Sequence, residues 1–172
     1  MLSKNKHTPG FTIVELLIVI VVIGVLAVIT IISFNGVQNR AYDIAIKSDL
    51  SNIADKLEFY RVTISPTNQY PSSLIVADVD VTVSKNAYGN NYIQTGNTRG
   101  YNLLYCKGTT SDIYAVVAGS RSGKTFAVTH AKAPYESTTK LTTAGQQCGD
   151  EGIAPYAAVW GFTEVAGWTG SL

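Results

Sequence analysis

The chain has 172 residues and a formal net charge of +1 at neutral pH, with 13 Lys and Arg balanced by 12 Asp and Glu. That length holds one modest globular domain beyond a membrane segment, and the scattered, near-neutral charge argues against a nucleic-acid partner. Two cysteines without a CxxC spacing, and two distant histidines, His7 and His130, make no zinc set and imply no cofactor.

Residues 1–10 (MLSKNKHTPG) are short, basic and polar, and Pro9-Gly10 breaks any helix ahead of Phe11. Residues 11–34 read FTIVELLIVIVVIGVLAVITIISF, in which Glu15 is the only charge. As a helix this run is roughly 36 Å long, enough to cross a bilayer core of about 30 Å. A charged side chain inside such a segment costs roughly 2.5–3.5 kcal/mol for Asp, Lys or Arg, and less near an end. Glu15 therefore asks for a partner. Lys4 and Lys6 place the N-terminus on the cytoplasmic side and everything after about residue 35 outside. The competing reading is a secretory signal peptide cut near Val25-Leu26-Ala27. Against it, the apolar run continues past Ala27 and Glu15 would sit in the signal's core.

Val37, Ala41, Ile44, Ile46, Leu50, Ile53, Leu57, Tyr60 and Ile64 then recur at spacings of three and four, one apolar stripe of a continuing helix. Asp43, Lys47, Asp49, Asp55, Lys56, Glu58 and Arg61 take much of the remaining surface. Asp43 with Lys47, and Glu58 with Arg61, are spaced for intrahelical pairs. Gly24 and Gly36 are the weak points of this helix, and Ser65-Pro66-Thr67-Asn68 ends it.

The remainder reads as β. Residues 79–83 (VDVTV) alternate as a short strand, and residues 101–106 (YNLLYC) are a second candidate. Residues 112–118 and 124–130 flank the turn Gly119-Ser120-Arg121-Ser122-Gly123 as an antiparallel hairpin. Residues 86–100 are turn-rich and read as an exposed loop. In the tail from Ala131, Trp160, Phe162 and Trp168 read as cover for a sheet face or edge. Cys106 and Cys148, an even pair on the outer side, read as a disulfide tying that tail to a strand, with two buried free thiols as the alternative.

Three apparent sites are set aside on chemical grounds. Residues 118–125 (AGSRSGKT) approach a phosphate-loop pattern, but that chemistry needs a helix N-terminus after the loop, and residues 125–129 read as a strand. His130 has no acidic orienter for a hydrolase triad. Asp150-Glu151 supply fewer oxygens than the six to eight that calcium takes, and read as a solvated loop. An enzyme is not expected.

Gly10-Phe11-Thr12-Ile13-Val14-Glu15-Leu16-Leu17 resembles the N-terminal signature of type IV prepilins: a basic leader ending in Gly, then Phe, Thr, an apolar pair, Glu and a long apolar helix. The likeness covers the first third of the chain, and Tyr70-Pro71-Ser72-Ser73-Leu74 also resembles the helix exit of many pilins. The resemblance implies cleavage between Gly10 and Phe11 by a membrane-embedded prepilin peptidase, and N-methylation of the new Phe11 amine. It implies that Glu15 meets the Phe11 amine of a neighbouring subunit in a filament core. Where many pilins carry a helix-bending proline this chain has Ile32, flanked by Ile31 and Ser33, which leaves Gly24 and Gly36 as candidate weak points.

The expectation is an α+β, pilin-like fold: a leader at 1–10, a transmembrane or filament-core half helix at 11–34, an amphipathic half at 35–64, and a small antiparallel β domain at 65–172. The leading function is a major pilin of a surface filament, held in the cytoplasmic membrane before assembly. Its implied partners are copies of itself, membrane lipid, the peptidase and methyltransferase, an assembly platform and a separate motor ATPase. The alternatives are a pseudopilin of a secretion or DNA-uptake machine and a membrane-anchored binding domain that never polymerises.

Overall fold

A computed structural model of the chain describes residues 10–74, 79, 81–89, 102–109, 112–138 and 144–162. Helix α1 (Ile13–Phe59) continues without a break through Gly24 and Gly36, and a π-helical turn (Tyr60–Ile64) follows it. Ser65 closes that turn by donating its N–H to the Tyr60 carbonyl at 2.9 Å. Pro66, with no N–H and a fixed φ, prevents further helix. Asn68 takes the left-handed conformation that its short side chain tolerates better than most.

The chain divides into two compact units, Met1–Gln38 and Asn39–Leu172. In the described part of the first, no large apolar side chain finds cover. Phe11, Ile13 and Leu26 are all more than half exposed, and their large apolar neighbours along the helix are about half exposed or more. An apolar surface of this kind, on a helix with a hydropathic window long enough to cross a membrane, needs lipid or other helices around it.

The second unit is built on a five-stranded antiparallel sheet. Its strands are β1 (Leu103–Gly108), β2 (Tyr114–Gly119), β3 (Thr125–Thr129), β4 (Lys132–Ser137) and β5 (Tyr156–Phe162), in the order β4-β3-β2-β1-β5. Side chains alternate across it. Leu103, Tyr105, Tyr114, Val116, Ala118, Phe126 and Val128 face Ile46, Leu50, Ile53 and Leu57 of α1 in one core. Each of those four helical side chains contributes about 1.5–3 kcal/mol of burial, which outweighs any exposed ion pair on the same helix. The opposite face carries Leu104, Cys106 and Ala115 against Cys148 and Ile153, where helix α2 (Ala144–Asp150) covers it.

Several expectations change here. Residues 79–83 form no strand where they are described; Val79 and Val81 instead pack against the helix core. The expected loop at 86–100 starts in a 3-10 turn (Lys85–Ala87), and Ala87 and Tyr88 are buried; residues 90–100 lie outside the described residues. The apolar stripe begins only at Ile46, with Val37 and Ile44 exposed. The tail contributes two strands and α2. Trp160 and Phe162 lie in β5, paired with Tyr105 and Leu103, while Trp168 lies outside the described residues.

Candidate functional site

Gly10, Phe11 and Glu15 sit at the start of α1. Phe11 is 78% exposed, and Glu15 occupies the third helical position. Helix formation starts here because Thr12 caps it: the Glu15 N–H donates to Thr12 Oγ1 at 3.2 Å, and the Leu16 N–H to the Thr12 carbonyl at 3.3 Å. Thr12-x-x-Glu15 has the spacing of a capping box, a helix-start signal legible in the sequence itself. A carboxylate in the first turn also faces the positive end of the helix dipole, which offsets part of its cost in apolar surroundings. Val14, Leu16 and Leu17 around it are all more than half exposed. Any packing that buries those neighbours also removes water from Glu15. A single chain brings Thr12 to Glu15 and supplies no cation among the described residues.

Farther along α1, the polar positions act otherwise than their spacing suggests. Asp43 and Lys47 do not pair. Asp43 Oδ1 accepts Ser120 Oγ at 2.7 Å and Ser122 Oγ at 2.5 Å, while Lys47 lies 5.0 Å over the Phe126 ring. Asp49, expected on the solvated surface, is 6% exposed. It accepts the Ser84 N–H at 2.7 Å, Ser84 Oγ at 3.1 Å and the Tyr88 hydroxyl at 3.0 Å. Burial, and then the Asp49 charge, push the Tyr88 hydroxyl well above the usual phenol range. Two carboxylates of one helix thus hold the segment before Gly89 and the β2–β3 turn.

Those two segments also hold each other. The Arg121 N–H donates to the Ala87 carbonyl at 3.0 Å and the Gly89 N–H to the Gly119 carbonyl at 3.1 Å. The phosphate-loop look-alike is therefore a hairpin turn with Gly123 at φ 93°, and β3 follows it directly, without a helix N-terminus to face a phosphate.

At the other end of the helix, Glu58 accepts the Tyr70 hydroxyl and pairs with Arg61 at 3.1 Å, and Asp112 Oδ1 accepts the Tyr70 N–H at 2.9 Å. Tyr105 donates to the Pro71 carbonyl at 2.7 Å. These bonds fasten the helix exit, Tyr70-Pro71, to the sheet. On the far face Cys106 and Cys148 form a disulfide with Cα atoms 5.7 Å apart. Glu151 accepts hydrogen bonds from Tyr135 and from Ser137, the latter at 2.5 Å. Its oxygens are engaged by β4, and no cluster of three metal-ligating side chains occurs among the described residues.

Residues 5–31 match the family described as the prokaryotic N-terminal methylation motif. Over 140 residues the chain is 24% identical to the type IV wide pilus major component PilA4 of Thermus thermophilus, spanning 81% of this chain and 95% of that protein. No solved structure matches the chain significantly. Both matches bear out the resemblance to type IV pilins, the first over the residues that carry it.

Proposed function

From the methylation motif and the pilin relative, we propose that this chain is a structural subunit of a type IV pilus, and that it is the major one. The observation that carries the proposal is the match over residues 5–31, which includes Gly10, Phe11 and Glu15. The relative's role as a major pilus component favours a long filament over a short secretion piston. A peptidase cuts between Gly10 and Phe11, and methylation follows on the Phe11 amine. Before assembly the apolar run lies in the cytoplasmic membrane; afterwards the protein belongs to an extracellular filament.

The mechanism follows from burial. Filament packing covers the apolar side chains around Glu15 and leaves a carboxylate out of water. The cationic amine of Phe11 from the next copy offsets that cost and sets register, since a mis-set neighbour leaves two charges unpaired. Contacts of this head-to-tail kind do not close on themselves, so they propagate a helical polymer. Peptidase, methyltransferase, assembly platform and motor ATPase are the partners this cycle requires.

Mass spectrometry of the protein from sheared surface filaments tests the proposal. The expected species begins at Phe11 and carries one extra methyl group. An intact N-terminus, or cleavage after Ala27, overturns it; correct processing without long filaments points to a pseudopilin instead.

A further inference from the structure

We propose that the start of the second unit's helix and the β2–β3 turn form a cationic face that binds anionic phospholipid headgroups. The inference rests on the membrane anchoring proposed above and adds a second contact to it.

The carboxylates in this part of α1 are turned inward. Asp43 is occupied by Ser120 and Ser122, and Asp49 by Ser84 and Tyr88. Hydroxyl and amide donors take up their oxygens without bringing a compensating positive charge to the surface. What remains outward is cationic. Arg40, Lys85 and Arg121 are exposed, and among the described residues no side-chain hydrogen bond or ion pair engages them. Arg40 lies one helical turn before Asp43, while Arg121 lies between the two serines that bind Asp43. Lys85 adjoins Ser84. The same hydrogen bonds that engage the acids, Asp49 buried and Asp43 half-buried, set the bases at neighbouring positions, and the Arg121 N–H to Ala87 bond at 3.0 Å keeps the turn from swinging away.

The occupant follows from the tether. Arg40 is six residues after Phe34, the last residue of the apolar run, so even a fully extended chain carries it no more than about 20 Å away. The headgroup layer is roughly 5–7 Å deep on each side of the hydrocarbon core. A tether that short allows Arg40, with its long side chain, to reach lipid phosphates. Charge near an anionic surface is attracted within a Debye length, so the contact is sensitive to salt.

The test uses the full chain in nanodiscs of phosphatidylglycerol or of phosphatidylcholine, each carrying a headgroup-attached nitroxide. Paramagnetic broadening of the amide resonances of residues 120–123 reports proximity to the headgroups. Broadening is expected to be markedly stronger in phosphatidylglycerol than in phosphatidylcholine, the excess declining with added salt. Arg40→Gln and Arg121→Gln should each lower the bound-to-free ratio roughly fivefold; neither side chain takes part in the Asp43 or Asp49 hydrogen bonds, and Arg→Lys variants should restore much of the effect. Equal broadening in both lipids, or none lost in the double variant, overturns the proposal. So does an excess in phosphatidylglycerol that appears only with several chains per disc, which marks a second copy as the occupant. A chain that fails to enter the discs overturns the anchoring itself; one that enters without a phosphatidylglycerol excess overturns the headgroup contact alone.

Discussion

Asp43 on α1 accepts the hydroxyl of Ser120 at 2.7 Å across 77 positions of sequence, and through it the helix holds the tip of the β2–β3 hairpin. Removing the acceptor leaves the part-buried hydroxyls of Ser120 and Ser122 without it. Asp43→Ala is expected to destabilise the protein by about 1–3 kcal/mol, and Ser122→Ala by about 1 kcal/mol. Thermal unfolding of the detergent-solubilised chain reads both. Equal stability of Asp43→Ala and the parent would remove the fastening role assigned to this residue.

Gly89 lies where that hairpin and the segment from Ser84 come closest. A Cβ there would stand 2.7 Å from Arg121 Cα, 2.8 Å from its nitrogen and 2.9 Å from the Ser120 carbonyl. These are backbone atoms, so relief requires moving the chain rather than turning a side chain. Gly89→Ala is expected to cost about 2–3 kcal/mol, at the upper end of the range for overpacking with backbone shift. Gly123→Ala meets no neighbour but sits at φ 93°, and should cost about 1–2 kcal/mol. Denaturant midpoints for the two variants check the order.

Alkaline pH should unfold the second unit. Tyr70, Tyr88, Tyr105, Tyr114 and Tyr135 all have hydroxyls raised above the ordinary phenol value of 10.0, each chiefly by burial. A group whose folded pKa is raised binds its proton more tightly in the folded state. Its contribution is fully present below about pH 10 and is lost as pH climbs beyond the unfolded value. Ultraviolet titration should show tyrosinate from these five appearing in one cooperative step with loss of structure. A gradual, independent titration near pH 10 would contradict the burial assigned to them.

Cys106 and Cys148 are separated by 42 positions. In the chain-entropy model, cross-linking a loop of that length stabilises by up to about 4 kcal/mol. The double Cys→Ser variant is expected to lose several kcal/mol and to free α2 from the sheet face. Non-reducing electrophoresis of the parent should show a mobility change on reduction. Hydrogen exchange in the variant should rise at 144–150 before it rises in β2.

Glu15→Ala is expected to enter the membrane and to fail in filament assembly, since the apolar run is unchanged and only the charged partner is gone. Glu15→Gln separates charge from shape: it should also fail if the ionic pair with the Phe11 amine governs register. Immunoblots of sheared filament and membrane fractions read both. Normal filaments from either variant would remove the proposed pairing.

Much of this was legible in residue order because the signals are local. An apolar run with one carboxylate, a Pro-Gly break before it and a stripe at 46, 50, 53 and 57 each need only nearby positions, as helices repeat within four residues. Paired strands around Gly119 to Gly123 were equally plain, since a hairpin joins neighbours. The last strand was not, because β5 pairs with β1 about fifty residues earlier, a distance at which turn chemistry carries no information.

By itself, then, the sequence determined the long apolar helix, its single charge, the prepilin-like junction at Gly10-Phe11 and a β-rich second part. Tertiary structure alone decided what the polar residues do. Asp43 and Asp49 looked like helix-surface charges until folding set serine and tyrosine donors beside them. Glu151 looked like a solvated acid until β4 reached it. Periodicity reports which face of an element is apolar; the partner of a polar atom depends on which distant segment the fold brings within 3 Å, and burial then makes that bond costly to lose.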